Sequence, residues 1–371
     1  MAPKRYLLIR LSSIGDVLHC TPALRALRQT IPEAHITWVV GEVAAPLLKN
    51  NPFVDEVYIW PRERWEASIK AGRLHEAWAL WQKLSRDLKN YSFDIALDVH
   101  GLLLSGLIAK ASGAPRIIGM AHTRELNSWF MTDIAPARPG SHVIERYLSV
   151  LRPLGITGGS TAMTLVVDEE SRSFAEEFLR SRSIFPTQPI VTLIPATSWI
   201  TKNWPPEYFA AVANSLDPSL GLMLCGSQGD RAIADAVMNK VTRPVIDAVG
   251  QTNLLQTAAL LSRSKAVVTG DTGSLHMAVA LGVPTVSLFG ASDPARFGPL
   301  TGSHIVLTGT GDCRSCFKAA CRRGDHRCMH SITPRRVLEA LRRLVAEQKK
   351  TLPQPIISKG ISYLAGGTRE S

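Results

Sequence analysis

Residues 6–19 read Tyr6-Leu7-Leu8-Ile9-Arg10-Leu11-Ser12-Ser13-Ile14-Gly15-Asp16-Val17-Leu18-His19. The apolar run Tyr6–Ile9 predicts a buried strand. It passes into a small polar turn, Ser12-Ser13-Ile14-Gly15, where Gly15 suits a tight backbone. Asp16 then stands at the mouth of a helix. In open parallel sheets, ligands bind outside the carboxyl ends of the strands. Asp16 is therefore placed either as a helix cap or first-turn acid or as a group that does chemistry.

Working outward, strand-like and helix-like runs alternate. His35–Val40, Val57–Ile59, Ile95–Val99 and Arg116–Gly119 read as strands; Pro22–Gln29, Leu74–Leu88, Leu102–Ala109 and His142–Leu154 read as helices. The Gly/Ser/Thr-rich stretch 155–161 reads as a linker. A second alternating series follows, with strands at Ile190–Ile194, Gly221–Cys225, Pro244–Asp247, Ala266–Thr269 and Thr285–Phe289, and a closing helix at Val337–Gln348. This alternation predicts an α/β protein of two parallel-sheet, Rossmann-like domains with a ligand cleft between them. The expected boundaries are 1–157, 158–350 and a loose tail at 351–371. A content of 45% hydrophobic and 20% charged residues fits a globular chain with a sizeable core.

The net charge of +11 suits an anionic partner. Lys and Arg are scattered and not interleaved with aromatics, which argues against nucleic acid and leaves an anionic membrane or a phosphorylated substrate. No secretory signal pattern opens the sequence, and the longest charge-free stretch, Thr272–Ser292, is broken by Gly and Pro. A cytosolic protein is expected.

Four further motifs carry chemistry. In Val267–His276 a β-branched strand runs through Gly270-Asp271-Thr272-Gly273-Ser274 into a helix. The N–H groups of Thr272, Gly273 and Ser274 would form an anion site at the helix start, with His276 one turn in. No P-loop pattern occurs. After strand Ile190–Ile194 come Pro195-Ala196-Thr197-Ser198 and Lys202-Asn203-Trp204-Pro205. Lys202 offers positive charge where a leaving diphosphate needs it, or is a solvated loop lysine. Asp98-Val99-His100-Gly101 ends one strand. Asp230, after Gly226-Ser227-Gln228-Gly229, either accepts from a ribose hydroxyl or caps its helix. Finally, Cys313, Cys316, Cys321 and Cys328 are close enough in sequence for a tetrahedral structural zinc, though the spacing is not a standard paired motif. Reduced, packed cysteines are the alternative.

Together these motifs resemble glycosyltransferase family nine, the ADP-heptose:lipopolysaccharide heptosyltransferases. The resemblance spans about residues 5–345. It rests on Ser12–His19 with Pro22-Ala23-Leu24, on Gly270–His276, on Lys202–Pro205 and on Phe289-Gly290-Ala291-Ser292-Asp293-Pro294. It implies a GT-B fold and an inverting transfer that needs no metal at the reacting centre. It implies Asp16 as general base and Lys202 as the stabiliser of departing ADP. Thr197, Ser198, Asp271, Thr272, Gly273, Ser274 and His276 fall on the donor side, with Asp230 on the adenosine ribose, where the family carries a longer glutamate. Ser13, Gly15, Arg62, Arg64 and His100 fall on the acceptor side, where basic groups suit the phosphates and carboxylates of the lipopolysaccharide inner core. The implied partners are ADP-heptose, that anionic glycolipid and the cytoplasmic face of the inner membrane. A relative using another nucleotide sugar, and a non-catalytic nucleotide-binding protein, are the competing readings.

Overall fold

The computed structural model describes residues 3–310, 313, 315–347 and 362–365. In the first part the chain runs β1 (Arg5–Ile9), α1 (Ile14–Thr30), β2 (His35–Gly41), β3 (Glu56–Trp60), α2 (Arg62–Lys70), α3 (Leu74–Asn90), β4 (Ile95–Asp98), α4 (Leu103–Ala111), β5 (Arg116–Met120), β6 (Asp133–Ala135) and α5 (Val143–Ser149). It continues α6 (Glu169–Arg180), β7 (Ile190–Ile194), α7 (Pro206–Asn214), β8 (Gly221–Leu224), α8 (Arg231–Met238), β9 (Ile246–Asp247), α9 (Leu254–Ser262) and β10 (Ser264–Gly270). Then come α10 (Gly273–Ala280), β11 (Thr285–Phe289), α11 (Pro294–Phe297), β12 (His304–Thr308), α12 (Arg327–His330), α13 (Pro334–Glu347) and β13 (Ser362–Ala365).

The chain divides into two compact units, with the change at Val166–Val167. The first holds a parallel sheet of order β13-β3-β2-β1-β4-β5-β6, the second a parallel sheet of order β12-β11-β10-β7-β8-β9. Both are Rossmann-like α/β units, as the alternation predicts, and two such units in one chain are what the family resemblance implies with its GT-B fold. The expected tail at 351–371 is corrected at 362–365, where backbone pairing with Glu56–Ile59 adds β13 to the edge of the first sheet; its remaining residues lie outside the described ones.

The strands are near-continuous apolar runs because helices cover both sheet faces. Leu7, Leu8 and Ile9 of β1 are buried, as are all of β7 and β11. In the first unit Leu7, Ile9 and Val39 pack with Leu84, Leu88 and Ile108 of the helices; in the second, Val191, Val268 and Val286 pack with Phe209, Val212 and Leu341.

α1 begins at Ile14, two residues ahead of Asp16, so Gly15 lies inside the first helical turn and not in the tight turn expected of it. α1 also runs through Pro22. Proline removes the N–H that would reach the carbonyl four residues back. Here that carbonyl, Leu18 O, accepts from the Thr21 hydroxyl at 2.7 Å, so the bond is replaced.

Each sheet has one point where the winding reverses. In the first it lies between β1 and β4, in the second between β7 and β10. Loops leaving the carboxyl ends of those strands diverge there and leave a crevice. Those loops and the first turns of the helices that follow carry Asp16 and His100 in one unit, and Thr197–Lys202 and Asp271–His276 in the other.

Candidate active site

In the first unit, Asp16 lies in the first turn of α1. Its Oδ2 faces Arg10 Nη2 at 2.6 Å and accepts from the Ser13 hydroxyl at 3.0 Å and the Ser13 N–H at 3.4 Å. Its Oδ1 accepts one hydrogen bond among the described residues, from the Tyr147 hydroxyl at 2.8 Å. The capping contacts therefore fall on Oδ2, while Oδ1 takes the Tyr147 hydroxyl. Burial pushes the Asp16 carboxyl up, yet the charges of Arg10 and His19 and the hydrogen bonds from Tyr147 and Ser13 outweigh it and hold the group well below the usual carboxylate range. Arg10 is itself fixed. Its Nη1 donates to Val99 O at 2.9 Å, and its guanidinium lies 5.1 Å from the centre of the Tyr147 ring.

Val99 belongs to the loop after β4, and that loop is held by Asp98. The Asp98 carboxylate is fully buried and accepts from His100 N–H (2.9 Å), Gly101 N–H (3.0 Å), Ser105 Oγ (2.8 Å) and Asn127 Nδ2 (2.7 Å). Gly101 has φ +73°, and a Cβ there would sit 3.0 Å from Thr123 Cγ2, so this turn needs glycine. His100 follows Asp98 into the site. Both its ring nitrogens are buried without a hydrogen-bond partner. Burial first, then the charges of Arg10 and Arg62, push the His100 imidazole down to about 3, so it is neutral at physiological pH.

Arg62 opens α2 and donates from Nη1 to Ser12 Oγ at 2.5 Å and from Nε to Glu66 at 2.7 Å. Ser13, Gly15, Arg62 and His100 thus gather around Asp16. Arg64 does not join them: it pairs with Glu76 of α3 at 2.8 Å on an exposed surface. Two residues along a helix turn a side chain to another face, which sets Arg64 apart from Arg62.

In the second unit, Gly270 ends β10 and allows the loop after β7 to approach closely. A Cβ at Gly270 would lie 2.9 Å from Lys202 O and 2.9 Å from Thr197 Cγ2. Asn203 ties that loop together, since its Oδ1 accepts from Thr197 N–H at 2.8 Å and Thr197 Oγ1 at 2.9 Å. Lys202 Nζ reaches Asp271 Oδ2 at 2.6 Å and lies 4.5 Å from the centre of the Trp199 ring. On its other side, Asp271 Oδ1 is 3.5 Å from His276 Nε2. Burial works to raise the Asp271 carboxyl, but His276 and Lys202 hold it well below the ordinary range. α10 starts at Gly273 behind Thr272, whose extended backbone makes it the N-cap although its hydroxyl caps nothing in the helix. Ser198 is exposed on the neighbouring loop. Thr197, Lys202, Asp271 and His276 form one cluster beside the start of α10, a combination suited to an anionic ligand.

Asp230 takes the capping alternative with one oxygen: Oδ2 accepts from Ser227 N–H at 2.7 Å and Ser227 Oγ at 2.8 Å. Cys313, Cys316, Cys321 and Cys328 line one small cavity, but they differ in burial, with Cys328 buried on α12 and Cys316 exposed. Among the described residues no group of three or more Cys, His, Asp or Glu is placed to hold a metal ion. The zinc expectation therefore finds no support. The Cys321 thiol is instead lowered chiefly by the His326 N–H. Among the same residues, no helix is long and apolar enough to cross a membrane.

Two residues of this cluster, Arg10 and Tyr147, escaped the sequence reading, and so did the partners of a third, Asp98. Arg10 had a signal, a charge directly after a buried strand. Asp98 was visible as a strand-end acid, but its four partners were not. Tyr147 stands 131 residues from Asp16 and is brought there by the packing of α5 on α1.

The model for glycosyltransferase family 9 (heptosyltransferase) matches residues 81–326, more than half of the chain. Lipopolysaccharide heptosyltransferase 1 of Pseudomonas aeruginosa is 28% identical over 85% of this chain and 87% of its own length. Among solved structures, a family 9 glycosyl transferase from Veillonella parvula superposes with a TM-score of 0.82 at 28% identity, covering 93% of this chain and 98% of that one. The ADP-heptose lps heptosyltransferase II of E. coli shares the fold, with a TM-score of 0.74 at 24% identity over 93% and 99% of the two chains. The chain belongs to glycosyltransferase family 9, the heptosyltransferase family.

Proposed function

We propose that this glycosyltransferase moves heptose from ADP-L-glycero-D-manno-heptose to the inner core of lipopolysaccharide, inverting the anomeric carbon without a metal at the reacting centre. The first unit takes the acceptor and the second the donor. The observation that carries this reading is the Asp16 carboxylate at the start of α1, held by Arg10 and Ser13 on Oδ2 and by Tyr147 on Oδ1.

The acceptor hydroxyl donates to Asp16 Oδ1. Its oxygen attacks C1 of the heptose as the bond from C1 to the β-phosphate oxygen breaks, and ADP leaves with the electron pair. A carboxylate held this far below its usual pKa is a weak base at rest. It takes the proton late, once the forming C–O bond has made the hydroxyl acidic. Direct displacement from the opposite face gives inversion. Negative charge grows on the departing phosphate, and Lys202 with the start of α10 supplies the matching positive charge. Thr197, Thr272, Gly273 and Ser274 line the same donor site, Ser198 flanks it, and the free oxygen of Asp230 is offered to the ribose. Arg62 and neutral His100 receive the acceptor, whose inner-core phosphates suit Arg62. Names of relatives and the motifs shared with the family support heptose and lipopolysaccharide. An acceptor anchored in lipid places the enzyme at the cytoplasmic face of the inner membrane as a peripheral protein.

The test is ADP release from ADP-heptose in the presence of a lipopolysaccharide inner-core acceptor, with the product's anomeric configuration read by NMR. ADP release with an inverted linkage is expected. Thermal stabilisation by UDP or GDP but not by ADP would reject the heptose donor, and a retained configuration would reject direct displacement.

A further inference from the structure

The acceptor side of the first unit carries an exposed apolar surface that neither the fold nor the proposed chemistry uses. α4 begins directly after the His100–Gly101 loop. Its outer stripe presents Leu103 and Leu107, 41% and 37% exposed, and one turn on the exposed Lys110. The chain from His122 to Asn127 is stitched across the start of this helix. Arg124 N–H donates to Gly101 O at 3.1 Å, Leu103 N–H to Glu125 Oε2 at 3.2 Å, and Asn127 Nδ2 to Leu102 O at 2.8 Å. The short helical turn Asn127–Phe130 then packs on α4, with Asn127 buried and the Phe130 ring against Gly106. That orientation turns Leu126 and Trp129 outward, 57% and 78% exposed.

The backbone supports a display role. Glu125 and Leu126 have φ of +57° and +59°, a conformation that bulky L-residues avoid. Such strain is usually offset by a buried side chain or a function, and Leu126 is not buried. The exposed Arg124 and Lys110 flank the apolar residues, and the Glu125 carboxylate accepts from the Leu103 N–H. An outward tryptophan, three leucines and flanking cations match the interfacial zone of an anionic bilayer, where indole sits at the headgroup level and Arg or Lys meets lipid phosphate.

We propose that Leu103, Leu107, Leu126 and Trp129, flanked by Lys110 and Arg124, dock the first unit on an anionic phospholipid surface. The inference rests on the glycolipid-acceptor reading for its purpose: docking through α4 holds the His100 loop at the height where the sugars of a membrane-anchored acceptor emerge.

The test is cosedimentation of the full chain with phosphatidylglycerol vesicles and with phosphatidylcholine vesicles. Salt-sensitive binding to the anionic vesicles is expected, weakened at least about tenfold in the Leu126→Ser/Trp129→Ser variant. Trp129→Phe keeps an apolar ring; it is expected to sediment normally while losing its share of fluorescence quenching by brominated lipid, which guards against a misfolded double variant. Wild-type protein that ignores anionic vesicles, or a double variant that binds them as well as wild type, overturns the proposal. So does a double variant whose only change is loss of self-association in ultracentrifugation, which would assign the patch to a second copy of the chain. Full activity of the double variant on a water-soluble acceptor, with loss on the same acceptor in vesicles, supports it. Vesicle binding through this patch with no turnover of any glycolipid upholds the docking surface and sinks the glycolipid reading.

Discussion

Asp16 Oδ2 meets Arg10 and Ser13, while Oδ1 meets the Tyr147 hydroxyl. The sign of the resulting pH dependence follows from Arg10. With Arg10 present, Asp16 stays ionised well below the usual carboxylate range, so the acid limb of the pH–rate profile lies at very low pH or is masked by unfolding. Removing the guanidinium leaves burial as the dominant influence. In Arg10→Met the acid limb is expected to move up to or above the ordinary Asp value of 3.8, with activity lost as pH falls through it. A profile unchanged by Arg10→Met would remove Arg10 from this role. Tyr147→Phe deletes one hydrogen bond to a charged group; kcat is expected to fall about tenfold with the donor KM unchanged. The sequence showed the acid and the turn but not Tyr147, because helix packing and not local pattern supplies that contact.

At the scale of elements, both clusters sit where strand order reverses, and that reversal was not readable from the alternation of strands and helices alone. The alternation did mark the strand ends at Ile9 and Ile194 and came within one residue of those at Asp98 and Gly270. It misplaced the start of α1, since Ser12–Gly15 has the composition of a turn and tertiary packing extends the helix over part of it. Two element-level substitutions follow. Gly270→Ala forces a Cβ against Lys202 O and Thr197 Cγ2; it is expected to cost about 1–3 kcal/mol by denaturant melting and to raise the donor KM, whereas unchanged stability and KM would show that the loops need not approach so closely. Asp98→Ala strips four donors of their acceptor and frees the loop that holds Arg10 through Val99 O. Hydrogen exchange at His100 and Gly101 is expected to speed up, and kcat to fall more than the donor KM rises.

For the whole molecule, the two-unit α/β plan was legible, because buried parallel strands write themselves as apolar runs such as Leu7–Ile9 and Val267–Val268. The β13 edge strand was not, since short strands at sheet edges carry little apolar signal. The buried His100 also gives stability a pH dependence. Its folded value, about 3, lies below the unfolded 6.5, so between these values the unfolded chain binds more protons. Its contribution is complete above about 6.5 and lost as pH falls toward 3; Asp16, also depressed, adds loss of the same sign below its unfolded 3.8. The urea midpoint is expected to drop between pH 7 and 4, and to drop less steeply in His100→Gln. The central claim is that one carboxylate in the first unit takes the acceptor proton while the second unit holds ADP independently of it. Asp16→Asn tests it most directly, with ADP affinity measured by calorimetry and ADP release measured in a single turnover. The account predicts ADP binding within about twofold of wild type and a turnover rate lower by about 10²–10⁴; near-wild-type turnover, or loss of ADP binding in step with turnover, would contradict it.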